Sequence, residues 1–131
     1  MEALQNMVFA LCEAAGTSGA ESPAAAAAAG FLESAAQVEI DPMGNVVGRL
    51  GKIGAPNRIL LNAHLDQISM MVTEIDADGF LRIAPCGGID RRVLPGSPVT
   101  VLGRERLTGV VCGAVYGADK LPPLEEMAVD L

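Results

Sequence analysis

The chain has 131 residues, with nine basic and sixteen acidic side chains, for a formal net charge of -7. That length suits about one domain of 100–150 residues. The densest basic pair, Arg91-Arg92, falls short of the clustered positive surface that a phosphate backbone needs. No segment reaches the roughly 20 apolar residues of a membrane span, and the opening Met1-Glu2 lacks the basic flank of a signal peptide. These features predict a cytoplasmic protein with neither nucleic acid nor membrane as partner.

The predicted elements begin with a helix over residues 2–14, where Leu4, Met7, Val8 and Leu11 recur at helical spacing. Gly16 is placed to end it, and Thr17-Ser18-Gly19 reads as a loop. Ser22 then reads as the N-cap of a second helix, with Pro23 at its first position and the alanines 24–29 propagating it. Phe31, Leu32 and Ala35 continue its apolar face past Gly30, and its small side chains permit close approach to a sheet. From residue 37 the pattern changes to strands. Val38-Glu39-Ile40 and Val46–Leu50 flank the turn Asp41-Pro42-Met43-Gly44-Asn45.

After a loop at Ile53–Asn57, Arg58-Ile59-Leu60-Leu61-Asn62 has the continuous apolar centre of a buried strand. Ile68–Ile75 and Phe80–Ala84 make a hairpin around Asp76-Ala77-Asp78-Gly79. Glu74, Asp76 and Asp78 are too few for a calcium loop and read as solvated turn residues. Cys86–Pro98 is a Gly- and Pro-rich bend without the Lys-Ser or Lys-Thr of a phosphate loop. Val99–Leu102 and Leu107–Cys112 form a further pair. A connector follows over residues 113–123, and Glu125–Leu131 starts a last strand or a helix-to-strand transition.

Half the residues are apolar, but with three Phe, one Tyr and no Trp the core must rest on Leu, Ile, Val and Met. Cys12, Cys86 and Cys112 are odd in number and widely spaced, so they read as buried or half-buried thiols rather than a disulfide framework or metal knuckle. Cys86, beside Gly87-Gly88, is expected to be the most exposed of them. The order of elements is two helices with three or four strands, then an all-β segment, then a return to the first unit. That is the pattern of an inserted domain.

His64, the only histidine, stands two residues from Asp66. On a strand the two point to one face. His64 could then bind a metal while Asp66 accepts a hydrogen bond from its other ring nitrogen, which fixes the tautomer; Asp66 could also bind metal directly. On spacing alone the commoner reading is a strand-end histidine with a carboxylate nearby. Gln67 can donate an amide hydrogen bond but cannot serve as a carboxylate base.

Several segments together carry a resemblance: Leu11-Cys12-Glu13-Ala14 with Gly16-Thr17-Ser18-Gly19, Asp41–Asn45, Ala63-His64-Leu65-Asp66-Gln67-Ile68, Gly79-Phe80-Leu81-Arg82 with Gly87-Gly88 and Arg92-Val93-Leu94, and Leu124–Asp130. The chain resembles the N-terminal part of the cobalt- or zinc-dependent glutamyl and tetrahedral aminopeptidases, some of which carry the name endoglucanase. The resemblance implies an α/β fold: a partial zinc-peptidase-like catalytic domain with an inserted β-barrel-like (PDZ-like) domain, truncated at the C-terminus. Residues 1–70 would belong to the catalytic domain, 71–120 to the inserted β-domain, and 121–131 to the return into the catalytic domain.

It further implies that His64 is a metal ligand, that Asp66 is the catalytic carboxylate orienting it, and that the cofactor is a pair of zinc or cobalt ions. The implied substrate is a peptide, cut at its N-terminal residue, and the implied assembly is a homo-oligomer joined through the inserted domain. Gln67 and Ser69 depart from the family's usual Glu and Gly, and the connector lacks its usual Pro-Pro-His. The bridging aspartate, the Glu-Glu pair, a further carboxylate and the second histidine of such sites are expected after residue 131. The alternative is a noncatalytic remnant or self-association module. A carbohydrate-acting enzyme is disfavoured, because Trp is absent, Tyr116 stands alone and no paired carboxylates flank a sugar platform.

Overall fold

The computed structural model describes residues 1–113 and 121–131. The connector residues 114–120, Tyr116 among them, lie outside the described residues. The chain divides into two compact units, Met1–Gln67 and Ile68–Leu131. Among the described residues no helix is long and apolar enough to cross a membrane.

The first unit opens with helix α1 (Glu2–Glu13) and helix α2 (Ser22–Leu32). Its start differs by one residue from the sequence expectation. Glu21, not Ser22, is the N-cap, and the Glu21 carboxylate instead accepts the Gly19 N–H at 2.6 Å. Helix α2 runs through Gly30 and ends at Leu32, short of Ala35. Ala24, Ala25 and Ala29 are its buried residues, and α2 packs on the hairpin of β1 (Gln37–Ile40) and β2 (Val46–Arg49). The Asp41 carboxylate closes that hairpin, accepting the backbone N–H of Met43 and Asn45 and the Asn45 side-chain amide.

Arg58–Asn62 departs from expectation: it forms no strand, and Ile59, Leu60 and Leu61 are 91%, 85% and 91% exposed. A strand apolar on both faces needs a neighbour on each edge and a cover on each face. None of the described residues of this unit supplies them.

The second unit is an antiparallel sheet of β3 (Ser69–Ile75), β4 (Leu81–Cys86), β5 (Pro98–Leu102), β6 (Arg106–Cys112) and β7 (Ala128–Asp130), in the order β3-β4-β7-β6-β5. The segment 121–131, expected to return to the first unit, instead puts β7 at the centre of this sheet. Leu81 and Arg82 pair with it on one edge and Val110, Val111 and Cys112 on the other. Burial explains the choice: Met127, Ala128 and Val129 are all buried, and Leu81, Ile83, Val111 and Leu124 complete the core around Met127 and Val129.

Asp76 is also more than a solvated turn residue. It is half-buried, and its carboxylate accepts the N–H of Asp78 and Phe80 and pairs with Arg82 at 2.7 Å. Asp90 caps the short helix at Arg91–Val93, and hydrogen bonds from Arg92 hold its carboxyl down to about 2. The three cysteines are free thiols. Cys12 is the exposed one, lying on a helix with no buried residue, while Cys86 and Cys112 are half-buried.

Candidate functional site

Helix α1 ends against a loop that turns back on itself, with the Ala20 N–H donating to the Thr17 carbonyl at 2.8 Å. Gly16 is buried in this loop, and a Cβ there would stand 2.9 Å from the Ala24 Cβ, so the alanine face of α2 admits the loop only as glycine. The loop is tied to the chain at residue 67. The Gln67 N–H donates to the Gly16 carbonyl at 2.7 Å, and Thr17 and Gln67 form a parallel bridge. The Gln67 side-chain amide reaches the carbonyls of Leu11 at 3.1 Å, Cys12 at 3.3 Å and Ala14 at 3.2 Å. Leu11 and Cys12 lie in the last turn of α1, whose carbonyls have no partner within the helix.

This frame brings three side chains together. His64 Nδ1 lies 3.0 Å from the Asp66 carbonyl oxygen and 3.1 Å from its Oδ1. Both are acceptors, so neutral His64 carries its proton on Nδ1 and leaves the Nε2 lone pair bare. The Ser18 hydroxyl donates to the other carboxylate oxygen, Oδ2, at 2.6 Å. The Ser18 hydroxyl first, and then the imidazole, hold the Asp66 carboxyl below its ordinary range.

The structure therefore brings the two residues singled out by the sequence into contact, though not as neighbours on one strand face: residues 63–66 are unpaired, and the ring folds back along its own backbone. Ser18 is the participant that spacing missed. The signal for it was the glycine-flanked loop 16–19, forty-eight residues earlier in sequence than its partner.

The His64 side chain is 86% exposed and that of Asp66 42%. A bare, open imidazole nitrogen with an oriented partner has the chemistry to serve as one metal ligand. Among the described residues no group of three His, Cys, Asp or Glu side chains converges to hold an ion. His64 fits as a single ligand, and the described residues do not make a complete centre.

Residues 44–130 match the model of the M42 glutamyl aminopeptidase family. The chain is 36% identical over 122 residues to the glutamyl aminopeptidase of Lactococcus lactis subsp. cremoris (strain MG1363), covering 92% of this chain and 33% of that protein. Aminopeptidase APDkam598 from the archaeon Desulfurococcus kamchatkensis superposes with a TM-score of 0.85 at 34% identity, over 95% of this chain and 36% of its own. Pyrococcus horikoshii TET1 peptidase, which assembles into a tetrahedron or a large octahedral shell, gives 0.83 at 28% identity over 95% of this chain and 39% of its own. The chain thus spans about a third of the length of these relatives and has the α/β fold of the matching part.

Proposed function

This chain belongs to the M42 glutamyl aminopeptidase family, and from that membership we propose that it carries the N-terminal part of a metal-dependent aminopeptidase that removes N-terminal residues from peptides. In this reading, the first unit belongs to a zinc-peptidase-like catalytic domain and the second is its inserted PDZ-like β-domain. His64 is one metal ligand, presenting Nε2, and Asp66 is the carboxylate that orients it. When bound, a pair of zinc or cobalt ions supplies an activated water for attack on the scissile carbonyl. The remaining ligands and the general base come from outside the described residues.

The observation that carries the proposal is the tautomer forced on His64 by two acceptors at Nδ1, inside a segment that the family model covers. An acidic chain with free, widely spaced thiols fits a reducing cytoplasm. The shells formed by the Pyrococcus horikoshii peptidase support a homo-oligomer. A second reading, a noncatalytic remnant that self-associates, is favoured by the exposure of Ile59, Leu60 and Leu61.

The intact mass of the natively expressed product decides between the two readings when combined with hydrolysis of a glutamyl chromogenic substrate in the presence of cobalt. A product about three times this length, active with cobalt and silenced by His64→Ala, is the expected result. Its length follows from this chain covering a third of its relatives. A 131-residue product without hydrolytic activity overturns the enzyme reading and leaves the remnant.

A further inference from the structure

We propose that Ser18 is a positioning residue for the metal-ligating edge of His64, acting through Asp66. The inference rests on the reading of His64 as a ligand, and its geometry stands apart from that reading. Asp66 has two carboxylate oxygens with different tasks. Oδ1 faces His64 Nδ1 at 3.1 Å, and Oδ2 accepts the Ser18 hydroxyl at 2.6 Å. Rotation of the carboxylate about its Cβ bond would break both contacts together, so the hydroxyl sets the angle at which Oδ1 meets the ring. Among the described contacts, Ser18 meets Asp66 and not the imidazole. Its influence on Nε2 is exerted through the Oδ1 share of the Nδ1 hydrogen bond, the other share being held by the Asp66 carbonyl at 3.0 Å.

The position of Ser18 is itself built. The loop is closed by the Ala20-to-Thr17 hydrogen bond, bound at its far side by the Glu21 carboxylate on the Gly19 N–H, and tied to residue 67 through Gly16. A hydroxyl on a free loop would lose side-chain and backbone entropy on meeting Asp66; here the backbone part is already spent in folding. Asp66 is separated from Ser18 by forty-eight residues, so the contact exists only when this loop and the segment before Gln67 are brought together.

Because His64 is the only histidine, its ring nitrogens give a single, assignable pair of signals in ¹⁵N–¹H long-range correlation spectra. The measurement is the ratio of Nδ1–H to Nε2–H tautomer in the full chain without metal, at a pH where imidazole is neutral. Ser18→Ala is expected to lower that ratio roughly twofold to tenfold, the effect of one ordinary hydrogen bond. Ser18→Thr, which keeps the hydroxyl, is expected to stay near the parent value.

An unchanged ratio in Ser18→Ala overturns the proposal, as does an equal fall in Ser18→Ala and Ser18→Thr, which would place the effect in the loop backbone. If Ser18→Ala loses the dispersed amide spectrum of a folded chain, Ser18→Cys carries the test, since its thiol fills the space and donates only weakly. Addition of zinc alone to the parent chain separates the two ideas. A shift confined to Nε2 supports the ligand reading, and the tautomer ratio in Ser18→Ala, read without metal, decides the positioning role whatever zinc does.

Discussion

Gln67 occupies a position where a carboxylate and an amide of the same shape would behave oppositely. Its side-chain amide points at the carbonyl oxygens of Leu11, Cys12 and Ala14, and its backbone N–H holds the Gly16 carbonyl. An amide nitrogen donates to such oxygens, whereas a carboxylate repels them and gains no partner in exchange. Gln67→Glu is therefore expected to destabilise the first unit by about 1–3 kcal/mol, the usual cost of a half-buried polar group left unsatisfied. Urea denaturation followed by the His64 ring signals would measure it, and a stability equal to the parent would show that the amide does not hold the end of α1. The sequence shows that residue 67 can donate and cannot act as a base. It does not show the recipients, which lie more than fifty residues away along the chain.

At the scale of elements, local pattern and partner choice separate cleanly. The hairpin of β3 and β4 was legible because a turn of the Asp-x-Asp-Gly kind sits between two apolar runs, and both pairing partners are adjacent in sequence. The hairpin of β5 and β6 was legible because its two apolar runs are adjacent in sequence and joined near Gly103. The pairing of β7 was not. Its apolar residues announce a strand, but β4 and β6 were each already the partner of a neighbouring strand, and nothing local says that both still had a free edge. Gly109 on β6 marks the join. A Cβ there would stand 2.5 Å from Val129 Cγ1 and 2.7 Å from the Asp130 carbonyl oxygen. Because the second obstacle is backbone, Gly109→Ala must push the two strands apart, and a loss of about 1–3 kcal/mol is expected. Amide hydrogen exchange at Ala128 and Asp130 should speed up in that variant more than exchange within β3. Equal acceleration across the sheet would point to a general loss of stability instead.

For the molecule as a whole, the two units differ in what they bury. The second has its own core around Met127, which is 0% exposed, with Leu81, Ile83, Val111, Leu124 and Val129. The first buries three alanines, while Leu4, Phe9, Ile59, Leu60 and Leu61 stand in contact with solvent. Three consecutive exposed apolar side chains in a segment that forms no strand make the kind of surface that draws another chain. The 131-residue chain is expected to associate with rising concentration, and Leu60→Lys to reduce that association without lowering the stability of the second unit. Light scattering across a concentration series, with thermal melting of the same samples, checks both parts. A chain that stays monomeric throughout would show that this segment is covered from within.

By itself, the sequence determined the identity of most elements, the two glycine- and aspartate-governed hairpins and the closeness of His64 to Asp66, and its motifs pointed by resemblance to the family. The elements, the hairpins and the His64–Asp66 spacing rest on residues close together in the chain, where backbone preference, turn chemistry and period-two or period-3.6 patterning act directly, whereas the family rests on motifs spread along the chain. Only the tertiary structure decided that Ser18 completes the contact with Asp66, that Gln67 closes the end of α1, that β7 belongs in the middle of the second sheet, and that Arg58–Asn62 lies unpaired. Each of those depends on which distant surface is available to receive a hydrogen bond or an apolar face. A stretch such as Ile59-Leu60-Leu61 states its need for burial in its composition, but the neighbours that would meet that need are set by the packing of the whole chain.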